Sequence, residues 1–314
     1  MQANVLIKTI DLSHEEWLKW RQKGIGGSDV AAILGINKYK TAFEVYLEKL
    51  GEIEEKEIDN EFIYWGNVLE NIVAKEFEKR TGKKVRRKNQ ILQNKDYPFM
   101  IANLDRVIVG ENALLECKTT SAYNKNEWED EEVPANYLVQ VQHYLAVTGY
   151  EKGYIACLIG GNKFIWKEIE RDDELIEIII EAEKKFWHEH VLKGIPPILD
   201  GSSAAEKYVK ERFKKAKEGL EIALKSEYKD KISRYFQLKN EIKEKEEELK
   251  AIENQIKNEL GEAEKGQVGN YEIVWKNYSS NRIDTKLLKE KYPEIYNKVI
   301  KTLNYRKFQI KEVM

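Results

Sequence analysis

The segment from Ile101 to Thr119 limits the possible folds of this chain more than any other. Two apolar, β-branched runs, Ile101–Val109 and Ala113–Thr119, flank a turn at Gly110-Glu111-Asn112. Such a pair reads as a β-hairpin. Side chains two apart on a strand share a face. Glu116 and Lys118 therefore point one way, and Leu115 and Cys117 the other. Asp105, on the first run, falls within cross-strand reach of that pair. This hairpin brings two carboxylates and a lysine to one place.

Two carboxylates at one point repel each other unless a cation sits between them. A small set of hard oxygen ligands suits Mg²⁺ or Mn²⁺, which keep waters and bind substrate phosphate. Such an ion generates hydroxide and stabilises charge on a phosphoryl oxygen. A neighbouring lysine can orient or deprotonate the attacking water. The chemistry suggested is phosphodiester hydrolysis. The plainer alternative is a Glu–Lys pair on a hairpin surface, which contributes little. Acid–x–Lys alone is too frequent by chance to decide between them.

Other segments bear on the choice. Trp65-Gly66-Asn67-Val68-Leu69-Glu70 opens a helical run, Val68 to Arg80, that ends at Thr81-Gly82. Leu69, Ile72, Val73 and Phe77 recur at helical spacing, with Gly82 as the C-terminal stop. Glu70 lies beside that stripe, and a buried carboxylate needs a partner. Tyr137 to Gly149 reads as a second helix, with Gln140 near its apolar face. Nearer the N-terminus, Gly24, Gly26 and Gly27 precede Ser28-Asp29, a pair suited to capping the helix that follows. Glycines let backbone N–H groups approach an anion, and a helix N-terminus favours one. Arg21 adds a bidentate phosphate donor. The alternative is a capped helix after a flexible turn.

Taken in order, Arg21, Gly24-Ile25-Gly26-Gly27-Ser28, Gly66-x-x-x-Glu70, Asp105, Glu116-x-Lys118 and Tyr137-x-x-Gln140-x-Gln142 resemble the phage lambda exonuclease and YqaJ-like viral recombinase family. That family belongs to the PD-(D/E)XK nucleases. The likeness covers about residues 12–195. It implies an α/β (α+β) fold with a restriction-endonuclease-like core, a central mixed sheet flanked by helices. It implies Asp105 and Glu116 as metal ligands, completed by the backbone carbonyl of Cys117, with Glu70 reaching the metal through water. Lys118 would position the nucleophilic water, and Gln140 would support the catalytic group. Arg21 and Ser28 would hold a 5′-phosphate, with Lys38 and Asn103 at further phosphate-contact positions. The cofactor implied is Mg²⁺ or Mn²⁺, as two ions. The activity implied is digestion of the 5′ strand of linear duplex DNA, leaving 3′ single strands for annealing. The partners implied are double-stranded DNA ends, a single-strand annealing recombinase and further copies of the chain in a trimeric ring. One departure stands out: Arg106 follows Asp105, where many relatives carry glycine. Two other functions stay open, an endonuclease of the same fold and a non-catalytic DNA-binding or interaction protein.

At 314 residues the chain has room for one or two domains, and 34% of it is charged. It contains no apolar run long enough to span a bilayer, and residues 1–11 lack a signal-peptide pattern. Its two cysteines, Cys117 and Cys157, read as buried thiols in a reducing compartment, which points to the cytoplasm; the resemblance implies that of a bacterial host cell, for a phage or prophage product. Two thiols cannot supply the four ligands of an iron–sulfur cluster. The histidines are scattered and read as surface or packing residues, although His143 follows Gln140 closely enough to approach the site. A net charge of −2 is unusual for a DNA binder. The charge is segregated, however: basic from Lys79 to Lys88, acidic over Glu52–Glu61 and Glu127–Glu132. Segregated patches permit phosphate tracking on one face.

Beyond the hairpin 153–169 and an amphipathic helix 172–192, Pro196 to Ser203 reads as a linker. This divides the chain into a nuclease-like domain, 1–200, and an extension, 201–314. Tyr235, Leu238, Ile242, Leu249, Ile252 and Ile256 follow a seven-residue spacing broken by Lys245, a coiled-coil or helical-hairpin pattern. The remainder reads as a small α+β module: a strand at 271–278, a helix capped by Asp284, a helix opened by Pro293 and a returning strand at 306–311. The extension suits self-packing or subunit contact, or else the docking of a partner such as a single-strand annealing protein or an extra grip on DNA.

Overall fold

The structure, a computed structural model, describes residues 3–52, 61–128, 132–301 and 305–311. Most of both acidic runs, at 53–60 and 129–131, lies outside the described residues. The chain divides into two units, Met1–Arg212 and Phe213–Met314. The division falls after Arg212 rather than after residue 200. The reason is helix α7 (Ser203–Arg212), whose Ala205 is buried and whose Tyr208 packs edge-on against Phe43 of the first unit.

The first unit is built on a five-stranded mixed sheet ordered β2 (Val85–Arg86), β5 (Arg106–Ile108), β6 (Ala113–Thr120), β7 (Lys152–Ile159), β8 (Lys163–Glu170). β6 and β7 run parallel, and every other neighbouring pair is antiparallel. The parallel pair requires a crossover, supplied by α5 (Ala135–Thr148), which Gly149 ends in a left-handed conformation at φ 71°. The alternation of β6 sends Leu114 into one core, with Val141 and Leu145 of α5. It sends Leu115 and Cys117 into another, with Val73 and Phe77 of α4 (Glu61–Thr81). The sheet is thus covered by a helix on each face, and β6 is central to both layers.

The first predicted strand, Ile101–Val109, is two strands. β4 (Ile101–Asn103) pairs with β3 (Gln90–Gln93) in a second, three-stranded sheet with β1 (Asn4–Lys8), whereas β5 belongs to the main sheet. Leu104 and Asp105 form the crossing. An apolar periodicity continues across a change of sheet when both sheets bury the same face, so pattern alone does not show the break. α4 begins at Glu61, ahead of the predicted start. Its buried stripe is Val73, Ala74 and Phe77, while Ile72 and Val68 are exposed. The hairpin β7–β8 turns at Gly160-Gly161, both with positive φ. Helix α6 (Asp173–Lys185), capped by Asp172, continues as a π-helical segment Phe186–Val191.

In the second unit α8 (Tyr228–Leu260) is one continuous helix with no buried residue among those described. Residues 213–227 are not helical. A hairpin follows, β9 (Lys265–Val268) with β10 (Tyr271–Val274), and then α9 (Thr285–Lys291) and α10 (Pro293–Val299). Asp284 caps α9 through the Leu287 N–H at 2.9 Å, and Pro293 opens α10, as their sequence positions suggest. The strand expected at 306–311 is not formed: the described residues 305–311 are irregular.

Candidate active site

Asp105 and Glu116 meet because β5 and β6 pair with Arg106 opposite Leu115. That register sets Asp105 across from Glu116, and Asp105 Oδ2 accepts the Cys117 N–H at 2.8 Å. Glu116, almost fully buried, accepts through Oε1 from Lys118 Nζ (2.7 Å) and Gln140 Nε2 (2.7 Å). Lys118 Nζ also donates to Gln140 Oε1 at 3.1 Å. Asp105, Glu116, Lys118 and Gln140 are therefore one cluster. Residue 140 enters from α5, whose first turns face the Glu116 side of β6.

Charge and burial act strongly here. Burial, and then the Glu116 carboxylate, pushes the Asp105 carboxyl well above the usual range. Burial alone would lower Lys118, but the Glu116 and Asp105 carboxylates outweigh it and hold its ammonium above the usual lysine range. Lys118 is thus a donor, with no lone pair to accept a proton. Burial also raises the Cys117 thiol well above its ordinary value, and it pushes Cys157 up to about 12, so neither is a nucleophile.

Among the described residues, Glu116 Oε2 is buried without a hydrogen-bond partner. A buried anionic oxygen left unpaired is costly. Together with the Asp105 carboxyl, raised by burial and then by Glu116, it marks a site with room in its bonding for a cation. The donor set, two carboxylates and backbone oxygen, suits a hard divalent ion. No group of three or more His, Cys, Asp or Glu among the described residues is arranged to hold a metal. Glu70 is itself paired: its Oε1 lies 2.5 Å from Arg106 Nη1 and 3.8 Å from Arg87 Nη2. It approaches the cluster as the partner of two guanidinium groups. Arg106 is buried and also donates to the Asp105 carbonyl at 2.6 Å. A cleft of about 260 Å³ opens here, lined by Trp17, Glu70, Arg87, Asn103, Asp105 and Arg106, among others.

The N-terminal motif lies against this cluster. Arg21 Nη2 donates to Ser28 Oγ at 3.1 Å. α2 (Gly27–Ile33) is capped by Gly26 rather than by Ser28-Asp29; Ser28 lies in its first turn, and Asp29 takes the Gly26 N–H at 3.1 Å. A Cβ at Gly27 would come within 2.5 Å of the Tyr144 ring and 3.1 Å of Gln140 Cγ. That close approach requires glycine and seats the loop on the helix that carries Gln140. Tyr144 joins the two parts, since its hydroxyl accepts from Gln140 Nε2 at 3.1 Å.

Asp29 is fully buried between Lys49 (2.7 Å) and Lys40 (3.0 Å). Burial would raise its carboxyl, but the two ammonium groups hold it well below the usual range. Lys49 also donates to the Arg21 carbonyl at 3.1 Å. Sequence reasoning missed Lys40 and Lys49. The only signal was a charged residue after Ser28 that had to be buried if the glycine turn packed closely. Lys38 is exposed and pairs with Glu127 at 2.7 Å, whereas Asn103 lines the cleft. His143 does not approach the site. Its ring is buried, with Nδ1 2.7 Å from Glu183 Oε1 and Nε2 2.9 Å from the Ile101 carbonyl. Of the basic run, Arg87 and Lys88 line the cleft, while Arg80 and Lys83 pair with Glu76 and Glu111.

Fold and site together define an α/β protein with a buried acid–acid–lysine centre beside an arginine–serine loop. Residues 16–151 match the YqaJ-like viral recombinase domain. The chain is 55% identical over 314 residues to the Bacillus subtilis (strain 168) protein described as uncharacterized protein YqaJ, with 99% of this chain and 98% of that one aligned. The chain belongs to the YqaJ family of YqaJ-like viral recombinase proteins. Among solved structures it is similar to an alkaline exonuclease, LHK-Exo, from Laribacter hongkongensis (19% identity, 63% of this chain and 97% of that chain, TM-score 0.48). LHK-Exo in complex with dAMP gives 22% identity, the same coverage and a TM-score of 0.49. A phage related exonuclease from Haemophilus somnus 129PT gives 16% identity, 57% and 99% coverage and a TM-score of 0.45. No helix among the described residues is long and apolar enough to cross a membrane.

Proposed function

We propose that this protein is a divalent-metal-dependent exodeoxyribonuclease that digests the 5′ strand of linear duplex DNA and leaves 3′ single strands for recombination. The observation that carries this reading is the buried Asp105–Glu116–Lys118–Gln140 cluster, with Glu116 Oε2 unpaired, lying against the Arg21–Ser28 pair. Membership of the YqaJ family of viral-recombinase-like proteins supports a DNA substrate.

Asp105 and Glu116, with the Cys117 carbonyl, would hold Mg²⁺ or Mn²⁺. That ion, when bound, lowers the pKa of a bound water and offsets charge developing on the phosphoryl oxygens. Lys118, fixed as an ammonium by Glu116 and Gln140, orients the attacking water and adds positive charge where the transition state becomes more anionic. Gln140 is bonded to Glu116, Lys118 and Tyr144 at once, so it holds the lysine in one rotamer. Arg21 and Ser28 bind the terminal 5′-phosphate, which places the first phosphodiester at the acidic cluster. Asn103 contributes from the cleft wall, and Lys38 once it leaves Glu127. The protein works in the cytoplasm of a bacterial host, assembled as a trimeric ring and delivering its product to a single-strand annealing protein.

Digestion of a 5′-phosphorylated linear duplex with Mg²⁺, beside a closed circular duplex, tests the proposal. Loss of the linear substrate alone supports it. Cleavage of the circle identifies an endonuclease, and failure to cut either duplex contradicts a nuclease function.

A further inference from the structure

We infer that this centre holds one divalent ion and that the Arg106 guanidinium, by engaging Glu70 beside Asp105, supplies positive charge in place of a second ion. The inference rests on the metal-dependent reading above and concerns how its charge is supplied.

Without a further anionic ligand from the protein, a second ion beside Asp105 would rest on a shared carboxylate, waters and substrate phosphate alone. Glu70 is the acid placed for that role, since it lines the same cleft as Asp105. Its carboxylate is already engaged: Arg106 Nη1 lies 2.5 Å from Oε1, and Arg87 approaches the same oxygen at 3.8 Å. Arg106 is only 3% exposed, so water screens its charge little. Its Nη1 also touches the Asp105 carbonyl, which puts a permanent cation against the backbone of a metal-binding residue. An additional dication there would meet a buried like charge and would have to take Glu70 from two arginines. The side of Glu116 is different. Its Oε2 is buried and unpaired, and no fixed cation except Lys118, on Oε1, is bonded to that carboxylate. One ion held by Asp105 and Glu116 would therefore complete the charge.

The guanidinium has a further property that suits it to this place. Among the described residues, Arg106 Nη2 is buried and lacks an acceptor, while the residue lines the cleft next to Asp105. A guanidinium keeps its charge at any working pH and, unlike a second ion, is not lost to chelators. Glycine after Asp105 offers no such group. A chain with glycine there would leave Glu70 free to bind metal.

The test counts ions rather than turnover. Mn²⁺ is titrated into the full-length protein, and free Mn²⁺ is followed by electron paramagnetic resonance. The count is made with the protein alone and with a 5′-phosphorylated duplex whose terminal linkages are phosphorothioates. One Mn²⁺ per chain is expected in both states, and two in either state overturns the inference. Glu70→Gln should leave the count in place; a fall in affinity of more than about a hundredfold, beyond what an outer-shell partner costs, would make Glu70 a ligand and overturn it. Arg106→Gly should admit a second ion, and Arg106→Lys, which keeps the charge, should not; a count of one in a folded Arg106→Gly protein overturns the inference. Absence of Mn²⁺ binding by the wild-type protein would remove the metal-dependent function itself, a result distinct from a count of two.

Discussion

Asp105 Oδ2 accepts the Cys117 N–H at 2.8 Å, so the chain that leaves one sheet is tied by a side chain to the central strand of the other. This bond fixes the point where β4 ends and β5 begins. It also turns the carboxylate of residue 105 toward Glu116. The acidic pair is thus a product of the strand crossing.

Asp105 gives the first expectation. Its folded-state pKa is raised, by burial and then by Glu116, so the folded protein holds this proton more tightly than the unfolded chain. Ionisation as pH rises above the ordinary value of 3.8 therefore costs stability until the raised folded pKa is passed. In EDTA, the Tm of the wild type should fall relative to Asp105→Asn across that window. Mg²⁺ should restore it. Thermal unfolding against pH with and without Mg²⁺ checks this, and identical profiles for the two proteins would refute it.

Lys118→Ala should reduce cleavage by about 10²–10⁴-fold, the usual range for a group that orients or moves a proton. Binding of 5′-phosphorylated duplex should survive, because Arg21 and Ser28 are untouched. Single-turnover rates beside equilibrium binding separate the two effects.

Arg21→Ala should act on the DNA end and not on the chemical step. The expected pattern is a higher KM on 5′-phosphorylated duplex with a smaller change in kcat. On 5′-hydroxyl duplex the variant and the wild type should behave alike. Steady-state kinetics on both ends would show it.

Asp29→Asn leaves Lys40 and Lys49 buried without their shared anion. Breaking such a pair costs about 3–5 kcal/mol. Because the Asp29 carboxyl is held well below its ordinary 3.8, its contribution is present above that pH and fades as pH falls toward the folded pKa. Urea unfolding at neutral pH and at pH near 3 should show a wild-type advantage that shrinks in acid.

The sequence made the centre legible where chemistry and period agree. Glu116 and Lys118 share a face by strand alternation, and Gln140 falls on the helix that the parallel β6–β7 pair requires. Arg21 and Ser28 were legible as a motif, and they are in contact. What escaped depended on long-range placement. Lys49 reaches Asp29 from a separate helix, His143 finds Glu183 forty positions away, and Arg106 takes Glu70 from thirty-six. Local pattern carries no information about such pairs. The strand break at Leu104-Asp105 was hidden because both flanking strands are apolar. The C-terminal strand expected at 306–311 followed alternation alone, and among the described residues nothing pairs with that segment as a strand.

The proposed reaction is attack on the 5′ strand from a DNA end. A linear duplex labelled at the 5′-phosphorylated terminus of one strand and internally on the other distinguishes it from the alternatives. With Mg²⁺, early release of the terminal label as mononucleotide and survival of a 3′-ended single strand are expected. Release from the 3′ terminus, or internal nicks before any terminal release, would contradict it.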